Sequence, residues 1–219
     1  MVNFIIGGGI ADENFIKQTI ENYDRKQITI TACDRGYVVC KSLGLKPDFI
    51  IGDFDSSPEG TYEQALEEGC PLVRLNPIKD DSDSEAAINL VIENTTEGDI
   101  VFLAGTGTRL DHVLGNIALL GMALKKGRRV ILLDKTNRIQ MLTSGQSLTI
   151  KKGAQHGKYI SLMPYMGPVK GLTLEGFKYS LNNHDIFGFS TLTVSNEISE
   201  NEGTIRFAEG YLIVMETMD

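Results

Sequence analysis

The arrangement of short apolar runs along the chain is the feature that most constrains its fold. Up to about Lys135 in this 219-residue sequence, β-rich apolar runs alternate with segments in which apolar residues have helical spacing. The strand candidates are residues 3–6, 28–33, 49–51, 71–75, 100–104 and 130–133. The helix candidates between them are residues 12–23, 36–43, 58–68, 82–93 and 110–126. This alternation predicts an α/β domain built on a mostly parallel, Rossmann-like sheet that helices cover on both faces.

Local signals mark the ends of several of these helices. Ser82 and Glu85 have the spacing of a capping box, and apolar residues at helical spacing follow them. Asp12 is of the type that caps a helix amino terminus, and we expect it to start the first helix. Gly127 directly follows the last apolar turn of the helix that ends near residue 126.

Helical spacing stops after about Asn137, and the rest of the chain has the pattern of short strands. The candidates are residues 138–142, 147–150, 159–164, 171–174, 191–194, 204–207 and 211–216. We expect the last two to form a hairpin with Gly210 at a positive φ. Short strands separated by Gly, Asn and Pro predict a smaller all-β sandwich. We therefore divide the chain into an α/β domain, residues 1–136, and a β-sandwich domain, residues 137–219.

Composition excludes several classes of partner. The formal net charge of −8 argues against a nucleic-acid partner, because nucleic-acid-binding domains carry a basic stripe. The chain lacks an apolar run of about 18 residues, so we expect no membrane span. Its first residues, MVNFIIGGG, lack the basic and apolar regions of a secretory signal. Cys33, Cys40 and Cys70 show no metal-binding spacing, and we interpret them as reduced thiols of a cytoplasmic protein.

Acidic residues follow the predicted strands of the α/β domain or open the helices after them. They are Asp34, Asp53, Asp55, Asp80, Asp81, Asp83 and Asp111. Because the carboxyl ends of parallel strands meet at one edge, where open α/β folds bind ligands, we expect these carboxylates to converge. Carboxylates held close together repel one another unless a cation is bound, and Mg²⁺ accepts one or two carboxylates together with phosphate oxygens. The pattern therefore predicts a site for magnesium and a phosphate-bearing ligand.

Two glycine-containing loops lie at the same predicted edge. Gly7, Gly8 and Gly9 follow the first strand, where backbone N–H groups can approach a phosphate, although a plain turn explains them equally well. They match neither GxGxxG nor the Walker A pattern. In the second loop, residues 105–109, Arg109 either binds phosphate or pairs with Asp111 at the surface, and the sequence alone leaves both possibilities open.

Several segments together resemble the thiamine pyrophosphokinase family in order and spacing. They are ACDRG (32–36), PDFIIGDFDS (47–56), KDDSDSEAA (79–87) and GTGTRLDHVLGN (105–116). TLTVSNE (191–197) is similar to the serine–asparagine segment of the family's β-domain. The resemblance covers essentially the whole chain. It departs from the family at Ser82, where threonine is common, and in lacking the tryptophan that some relatives stack on the thiamine ring.

The resemblance implies an enzyme, an ATP:thiamine diphosphotransferase with Mg²⁺ as cofactor. It would transfer a pyrophosphoryl group from ATP to the hydroxyl of thiamine, giving thiamine diphosphate and AMP. The implied metal ligands are Asp53, Asp55 and Asp83. The implied nucleotide site comprises Asp34, Arg35, Lys79, Asp80 and Arg109, to which we add Gly8 of the first glycine loop.

The same resemblance implies a homodimer with sites between subunits. Asp111 would face the thiamine pyrimidine, and Ser195 and Asn196 would reach thiamine from the β-domain of the second subunit. We take Asp53, Asp55, Asp83, Arg109 and Asp111 as the candidate catalytic set.

Two other functions are compatible with the acidic edge. One is a different metal-dependent nucleotide phosphohydrolase or transferase, which would use the same carboxylates without thiamine. The other is a non-catalytic module that binds thiamine diphosphate or a nucleotide. The second conflicts with the charge pattern, because a sensor for an anionic ligand presents cations rather than carboxylates.

Overall fold

The computed structural model describes residues 1–54, 58–67, 69–75 and 82–219. They fold into two compact units, Met1–Lys135 and Thr136–Asp219. Within these described ranges, the helices are all too short or too polar to cross a membrane.

The first unit alternates strands and helices, as the sequence predicts. Its described strands are β1 (Val2–Ile6), β2 (Ile28–Cys33), β3 (Phe49–Gly52), β4 (Leu72–Arg74), β5 (Asp99–Leu103) and β6 (Val130–Leu133). Its described helices are α1 (Glu13–Glu21), α2 (Gly36–Ser42), α3 (Thr61–Glu67), α4 (Asp83–Asn94) and α5 (Leu110–Lys125), with a 3₁₀ turn at Arg25–Gln27. The predicted mixture of a parallel sheet and helices is confirmed.

Two of these helices begin at the predicted caps. The side chain of Asp12 accepts a hydrogen bond of 3.0 Å from the Phe15 N–H at the start of α1. The side chain of Ser82 accepts one of 3.2 Å from the Glu85 N–H at the start of α4. Each cap satisfies a backbone donor that the first helical turn leaves without an acceptor. The Ser82 cap thereby sets Asp83 in the first turn of α4.

The sheet of the first unit has one point at which its strand order reverses. Its order is β4-β3-β2-β1-β5-β6, and all neighbouring strands are parallel. The chain adds β2, β3 and β4 on one side of β1 and then places β5 on the other side. Ligands of open α/β sheets bind outside the carboxyl ends of the strands at such a reversal. The loops that follow β1 and β5 therefore mark the expected location of a site.

The central strand β1 is buried on both sides. Phe4, Ile5 and Ile6 each have 0% of their surface exposed. Since successive side chains of a strand point to opposite faces, both faces of the sheet are covered at this strand. This burial explains why residues 4–6 of β1 form a continuous apolar run rather than an alternating pattern.

The second unit is an antiparallel β region. Its described strands are β7 (Asn137–Thr143), β8 (Ser147–Lys151), β9 (Tyr159–Glu175), β10 (Leu181–Ile186), β11 (Glu202–Arg206) and β12 (Glu209–Thr217). Their order is β7-β12-β9-β11-β8, and β10 also pairs with β9. Each strand contributes to one buried apolar core, which includes Leu142, Ile150, Leu162, Ile186, Ile205 and Leu212.

The predicted hairpin of the last two strands is wrong. β11 pairs with β8 and with the end of β9, whereas β12 pairs with β7 and with the beginning of β9. β9 therefore lies between the two strands that we expected to pair. Gly210 does adopt the predicted positive φ, 111°. A Cβ at this position would overlap the carbonyl oxygen of Pro168 in β9.

Three other strand predictions for this unit differ from the structure. Residues 159–164 and 171–174 are strand, as predicted, but they belong to one continuous strand, β9. Residues 191–194 form a turn, closed by a hydrogen bond of 3.1 Å from the Val194 N–H to the Thr191 carbonyl. β10 was not predicted, because its sequence, LNNHDI, is mostly polar and largely exposed and so lacks a strand-like apolar pattern.

Candidate active site

A cavity of about 620 Å³ opens at the carboxyl edge of the sheet in the first unit. Its lining includes residues that follow β1, β2, β3 and β5, so it lies at the reversal of strand order. A volume of this size is typical of small-molecule sites. The residues named from the sequence that line it are Gly8, Asp34, Arg35, Asp53, Asp83 and Arg109.

Three carboxylates reach the cavity from different elements. Asp34 follows β2, Asp53 follows β3, and Asp83 lies in the first turn of α4. All three residues are half-buried. The structure thus brings these acids together at one sheet edge. Asp55, Lys79, Asp80 and Asp81 lie outside the described residues.

The turns that end β2, β3 and β5 have an unusual backbone. Asp34, Phe54 and Ala104 have positive φ values of 51°, 64° and 51°. A left-handed conformation at a residue with a Cβ costs on the order of 1–3 kcal/mol and is concentrated at functional sites. The surrounding contacts, such as the 2.8 Å hydrogen bond from the Asp34 N–H to the Ile51 carbonyl, hold these turns in place.

Two N–H groups of the glycine loop after β1 are used in packing against a neighbouring loop. The N–H groups of Gly7 and Gly9 donate to the carbonyls of Leu103 and Ala104, both at 2.9 Å. These two donors therefore join the loop to the end of β5 instead of facing a ligand. A Cβ at Gly9 would overlap the carbonyl oxygen of Thr106, so glycine is needed here for close approach of the two loops.

Side chains of two neighbouring elements hold the loop after β5, residues 105–109. Asn116, buried on α5, donates a hydrogen bond of 2.6 Å to the carbonyl of Gly105. The hydroxyl of Thr106 donates to Asp134 Oδ2 at 2.8 Å. Sequence analysis missed Asn116 and Asp134 as site residues. Asn116 falls within the segment 105–116 that carries the family resemblance, but its burial leaves no local pattern in the sequence.

Arg109 and Asp111 form a bidentate ion pair. Arg109 Nη2 donates to Asp111 Oδ2 at 2.6 Å, and its Nε donates to Oδ1 at 3.3 Å. This hydrogen bonding lowers the pKa of Asp111 and raises the pKa of Arg109. Of the two residues, Arg109 lines the cavity. The sequence left open whether Arg109 binds phosphate or pairs with Asp111. The structure shows the pair with Asp111, and Arg109 lies at the cavity wall.

Ser195 and Asn196 lie in the second unit and have different environments. The Asn196 side chain is buried, donates to the Tyr179 carbonyl at 2.8 Å and accepts from the Tyr179 N–H at 3.0 Å. It therefore ties two segments of the unit together. Ser195 is exposed, has a positive φ of 58°, and donates its N–H to Ser161 Oγ at 2.9 Å. Of the pair, Ser195 presents the more accessible side chain.

Comparison with known proteins decides the family. Residues 20–132 match the sequence model of "Thiamin pyrophosphokinase, catalytic domain", and residues 146–212 match "Thiamin pyrophosphokinase, vitamin B1 binding domain". Thiamine pyrophosphokinase of Bacillus subtilis (strain 168) is 36% identical over 220 residues, which cover 100% of this chain and 99% of the relative.

This chain belongs to the thiamine pyrophosphokinase family.

Solved structures of thiamine pyrophosphokinases share its fold. The crystal structure of the Bacillus subtilis protein has a TM-score of 0.89 at 33% identity and covers 100% of both chains. That of the Geobacillus thermodenitrificans protein has a TM-score of 0.85 at 32% identity and covers 100% of this chain and 98% of that one. A parallel α/β sheet followed by an antiparallel β region is thus an architecture that this chain shares with thiamine pyrophosphokinases.

The described part of this chain offers a partial ligand set for a metal. Within it, no three His, Cys, Asp or Glu side chains lie close enough to hold an ion by themselves. Asp53 and Asp83, which carry carboxylate side chains, do line the cavity. Mg²⁺ is commonly held by one or two carboxylates, with water and substrate phosphates as its other ligands. The donors therefore fit a magnesium ion that is shared with a nucleotide.

Proposed function

We propose that this chain transfers a pyrophosphoryl group from ATP to the hydroxyl of thiamine, giving thiamine diphosphate and AMP. The observation that carries the proposal is the 36% identity to the Bacillus subtilis thiamine pyrophosphokinase over the full length of both chains. The acid-lined cavity at the reversal of strand order supports it, because nucleotides bind at this position in open α/β sheets.

We assign the nucleotide to the first domain, residues 1–136. The residues proposed to bind ATP are Gly8, Asp34, Arg35, Lys79, Asp80 and Arg109. A guanidinium group matches the geometry of phosphate oxygens with two parallel N–H donors. The ion pair of Arg109 with Asp111 is largely exposed and therefore weak in water, so a phosphate can replace the carboxylate.

We assign magnesium to Asp53, Asp55 and Asp83. The support is the position of Asp53 and Asp83 at the cavity and their oxygen donors. A triphosphate would be repelled by these carboxylates alone. Held by these residues, Mg²⁺ would supply positive charge to offset that of the phosphate oxygens.

The chain's own residues then act by positioning and by charge. In the proposed step, the hydroxyl oxygen of thiamine bonds to the β-phosphorus of ATP, and the hydroxyl proton passes to a carboxylate of the site. The bond from that phosphorus to the α,β-bridging oxygen breaks, and AMP leaves with that oxygen. Such transfers depend on orientation and electrostatic stabilisation more than on covalent chemistry. Arg109 would donate N–H groups to the phosphate oxygens on which charge develops. The proposed catalytic set is Asp53, Asp55, Asp83, Arg109 and Asp111.

We place thiamine against Asp111 of one subunit and Ser195 and Asn196 of a second subunit in a homodimer. Residues 137–219 would then be the domain for thiamine binding and dimerisation. The match of residues 146–212 to the vitamin B1 binding domain supports this assignment. Because the Asn196 amide is bound to Tyr179, we expect it to hold the segment while the Ser195 hydroxyl contacts the ligand.

We also propose the finer classification and the location. The strand order around β1 and β5 favours a Rossmann-like domain, and the shared core of the antiparallel strands favours a β-sandwich. Cys33, Cys40 and Cys70 are buried and form no disulfide, as expected in the reducing cytoplasm.

Product analysis tests the proposed activity. With ATP, thiamine and Mg²⁺, we expect AMP and thiamine diphosphate at equal rates, and neither product when thiamine or Mg²⁺ is left out. An ATP turnover rate that is the same with and without thiamine would indicate a metal-dependent phosphohydrolase. Binding of ATP or thiamine diphosphate without turnover would indicate a non-catalytic binding module.

A further inference from the structure

A side chain outside the cavity fixes one of its walls. Thr106 is among the described residues that line the cavity, and Asp134 is not. The hydroxyl of Thr106 nevertheless donates to Asp134 Oδ2 at 2.8 Å, which links the loop after β5 to the end of β6. Neither the sequence patterns nor the proposed mechanism gives Asp134 a role.

The loop that Thr106 belongs to needs external support. It begins after Ala104, whose φ of 51° is unfavourable for a residue with a Cβ, and it contains Gly105 and Gly107, which have wide conformational freedom. Such a backbone persists only when its surroundings determine it.

The described contacts support this loop from three directions. From the β1 side, the Ile10 N–H donates to the Thr106 carbonyl at 2.9 Å. From α5, Asn116 donates to the Gly105 carbonyl at 2.6 Å. From β6, Asp134 accepts from the Thr106 hydroxyl. Asp134 is therefore the link between the loop and the strand at that side of the sheet.

The hydrogen bond between Thr106 and Asp134 is of a strong type. A hydroxyl that donates to a carboxylate makes a stronger hydrogen bond than one between neutral groups. Asp134 is half-buried, so water screens this bond less than a surface contact. Ile10 holds the carbonyl of Thr106, and Asp134 holds its hydroxyl. These two hydrogen bonds together restrict the backbone direction in which the chain continues toward Arg109.

We propose that Asp134 is a positioning residue for the nucleotide site. It holds Thr106 and, through it, the backbone of residues 105–109, so it strengthens ATP binding without touching ATP. The proposal rests on the assigned function for the identity of the nucleotide. Displacement of a binding wall by about 1 Å is enough to change binding and rate substantially.

A double-mutant cycle tests the link. Asp134→Ala and Thr106→Val remove its two ends, and the Kd of MgATP is measured by calorimetry without thiamine. We expect each single substitution to raise this Kd about 3- to 10-fold, and the double variant to be no weaker than the weaker single variant. Asp134→Asn keeps an acceptor oxygen and should recover most of the affinity. The KM for thiamine should stay within about twofold of the wild-type value in every variant.

Asp99→Ala is the matched control. It removes a carboxylate at the opposite, amino-terminal end of β5, where Asp99 pairs with Arg129 beside β6. Its Kd for MgATP should equal that of the wild type. If Asp134→Ala does not fold, the hydrogen bond is tested from the Thr106 side. Thr106→Val removes the hydroxyl and should raise the Kd of MgATP, whereas Thr106→Ser keeps the hydroxyl and should leave this Kd near the wild-type value.

Several results would overturn the proposal. One is an unchanged Kd of MgATP in Asp134→Ala and Thr106→Val, and another is additive effects on this Kd in the double variant. A third is a rise in the KM for thiamine as large as the rise in the Kd of MgATP. The fourth is an equal rise in the Kd of MgATP in the control Asp99→Ala. Failure of the assigned function looks different. A wild-type protein that binds MgATP but makes no thiamine diphosphate would refute the pyrophosphokinase assignment and leave the role of Asp134 intact.

Discussion

Arg109 Nη2 lies 2.6 Å from Asp111 Oδ2, in an ion pair whose side chains are 69% and 64% exposed. Exposed ion pairs contribute little to stability, because water and salt screen them. Their two side chains can therefore exchange partners at low cost. Because Arg109 also lines the cavity, we propose that its guanidinium exchanges Asp111 for a phosphate of the bound nucleotide.

The first prediction concerns the planar, two-donor shape of the Arg109 guanidinium. Arg109→Lys keeps the charge but loses the fork of parallel donors, so we expect kcat/KM for ATP to fall about 10- to 100-fold. Steady-state kinetics measure the change, and thermal unfolding should show an unaltered midpoint. Arg129→Lys is the control. Arg129 forms a similar bidentate pair with Asp99 at the amino-terminal ends of β5 and β6, away from the cavity, so this variant should have wild-type kinetics. Full activity of Arg109→Lys would exclude a phosphate-binding role.

The second prediction concerns the titration of Asp111. Its hydrogen bond from Arg109 holds the pKa of Asp111 below the ordinary aspartate value in the folded protein. The stabilisation from this pair is present above the ordinary pKa and is lost as the pH falls through the lowered one. Arg109→Ala should raise the pKa of Asp111 toward its ordinary value, as followed by carboxyl ¹³C shifts. An unchanged titration would show that the pair is absent in solution.

The third prediction compares two glycines. A Cβ at Gly36 would overlap the carbonyl oxygen of Ile6, and neither backbone can yield easily. Gly36→Ala should therefore lower the free energy of unfolding by about 3 kcal/mol or more. At Gly115, within α5, such a Cβ has no described atom within 4 Å apart from its chain neighbours and the backbone of its own helix. Gly115→Ala should raise the free energy of unfolding by about 0.5–1 kcal/mol, as denaturant titration can test. Equal effects would contradict the close approach at Gly36.

The fourth prediction concerns a buried thiol. Burial, with a smaller effect of the neighbouring Cys70, raises the pKa of Cys40 to about 12. The native state therefore keeps this proton as the pH rises beyond the ordinary thiol value, and its stability falls between that value and about 12. At pH 8, iodoacetamide should label Cys40 only in denaturant, as mass spectrometry would show. Rapid labelling of Cys40 in the native protein would contradict its burial.

The fifth prediction tests the shared thiamine site. Asp53→Asn removes a proposed metal ligand, and Ser195→Arg places bulk and positive charge where cationic thiamine should bind. Each variant alone should be nearly inactive. If one active site combines Asp53 of one subunit with Ser195 of the other, subunit exchange between the variants should restore about a quarter of wild-type activity. Activity that stays at the level of the separate variants would remove the shared-site proposal.

The parts of the site that depend on topology could be predicted from the sequence. Asp34, Asp53 and Asp83 follow strands or open a helix, and parallel pairing alone carries such residues to one edge. The hydrogen bonds of Thr106 to Asp134 and of Asn116 to Gly105 could not be predicted. They join residues that are 28 and 11 positions apart, so they depend on packing and leave no local pattern.

The errors in the second unit have a similar cause. Gly167 and Pro168 have the pattern of a break between strands, but the chain stays extended through them within β9. The resulting long strand offers separate pairing positions to β11 and β12. The short connection between those two strands favoured a hairpin, yet their pairing is decided by a partner distant in sequence.

The rate of AMP and thiamine diphosphate formation by Asp53→Asn tests the central claim most directly. This variant keeps the size of the side chain and removes the charge that we assign to the metal–nucleotide site. We expect its kcat to fall at least about 100-fold, with circular dichroism and thermal midpoint like those of the wild type. Asp99→Asn, which changes a carboxylate at the other end of the sheet, should keep near-normal activity. Near-normal formation of both products by Asp53→Asn would contradict the claim that the cavity at the β1–β5 reversal is the active site.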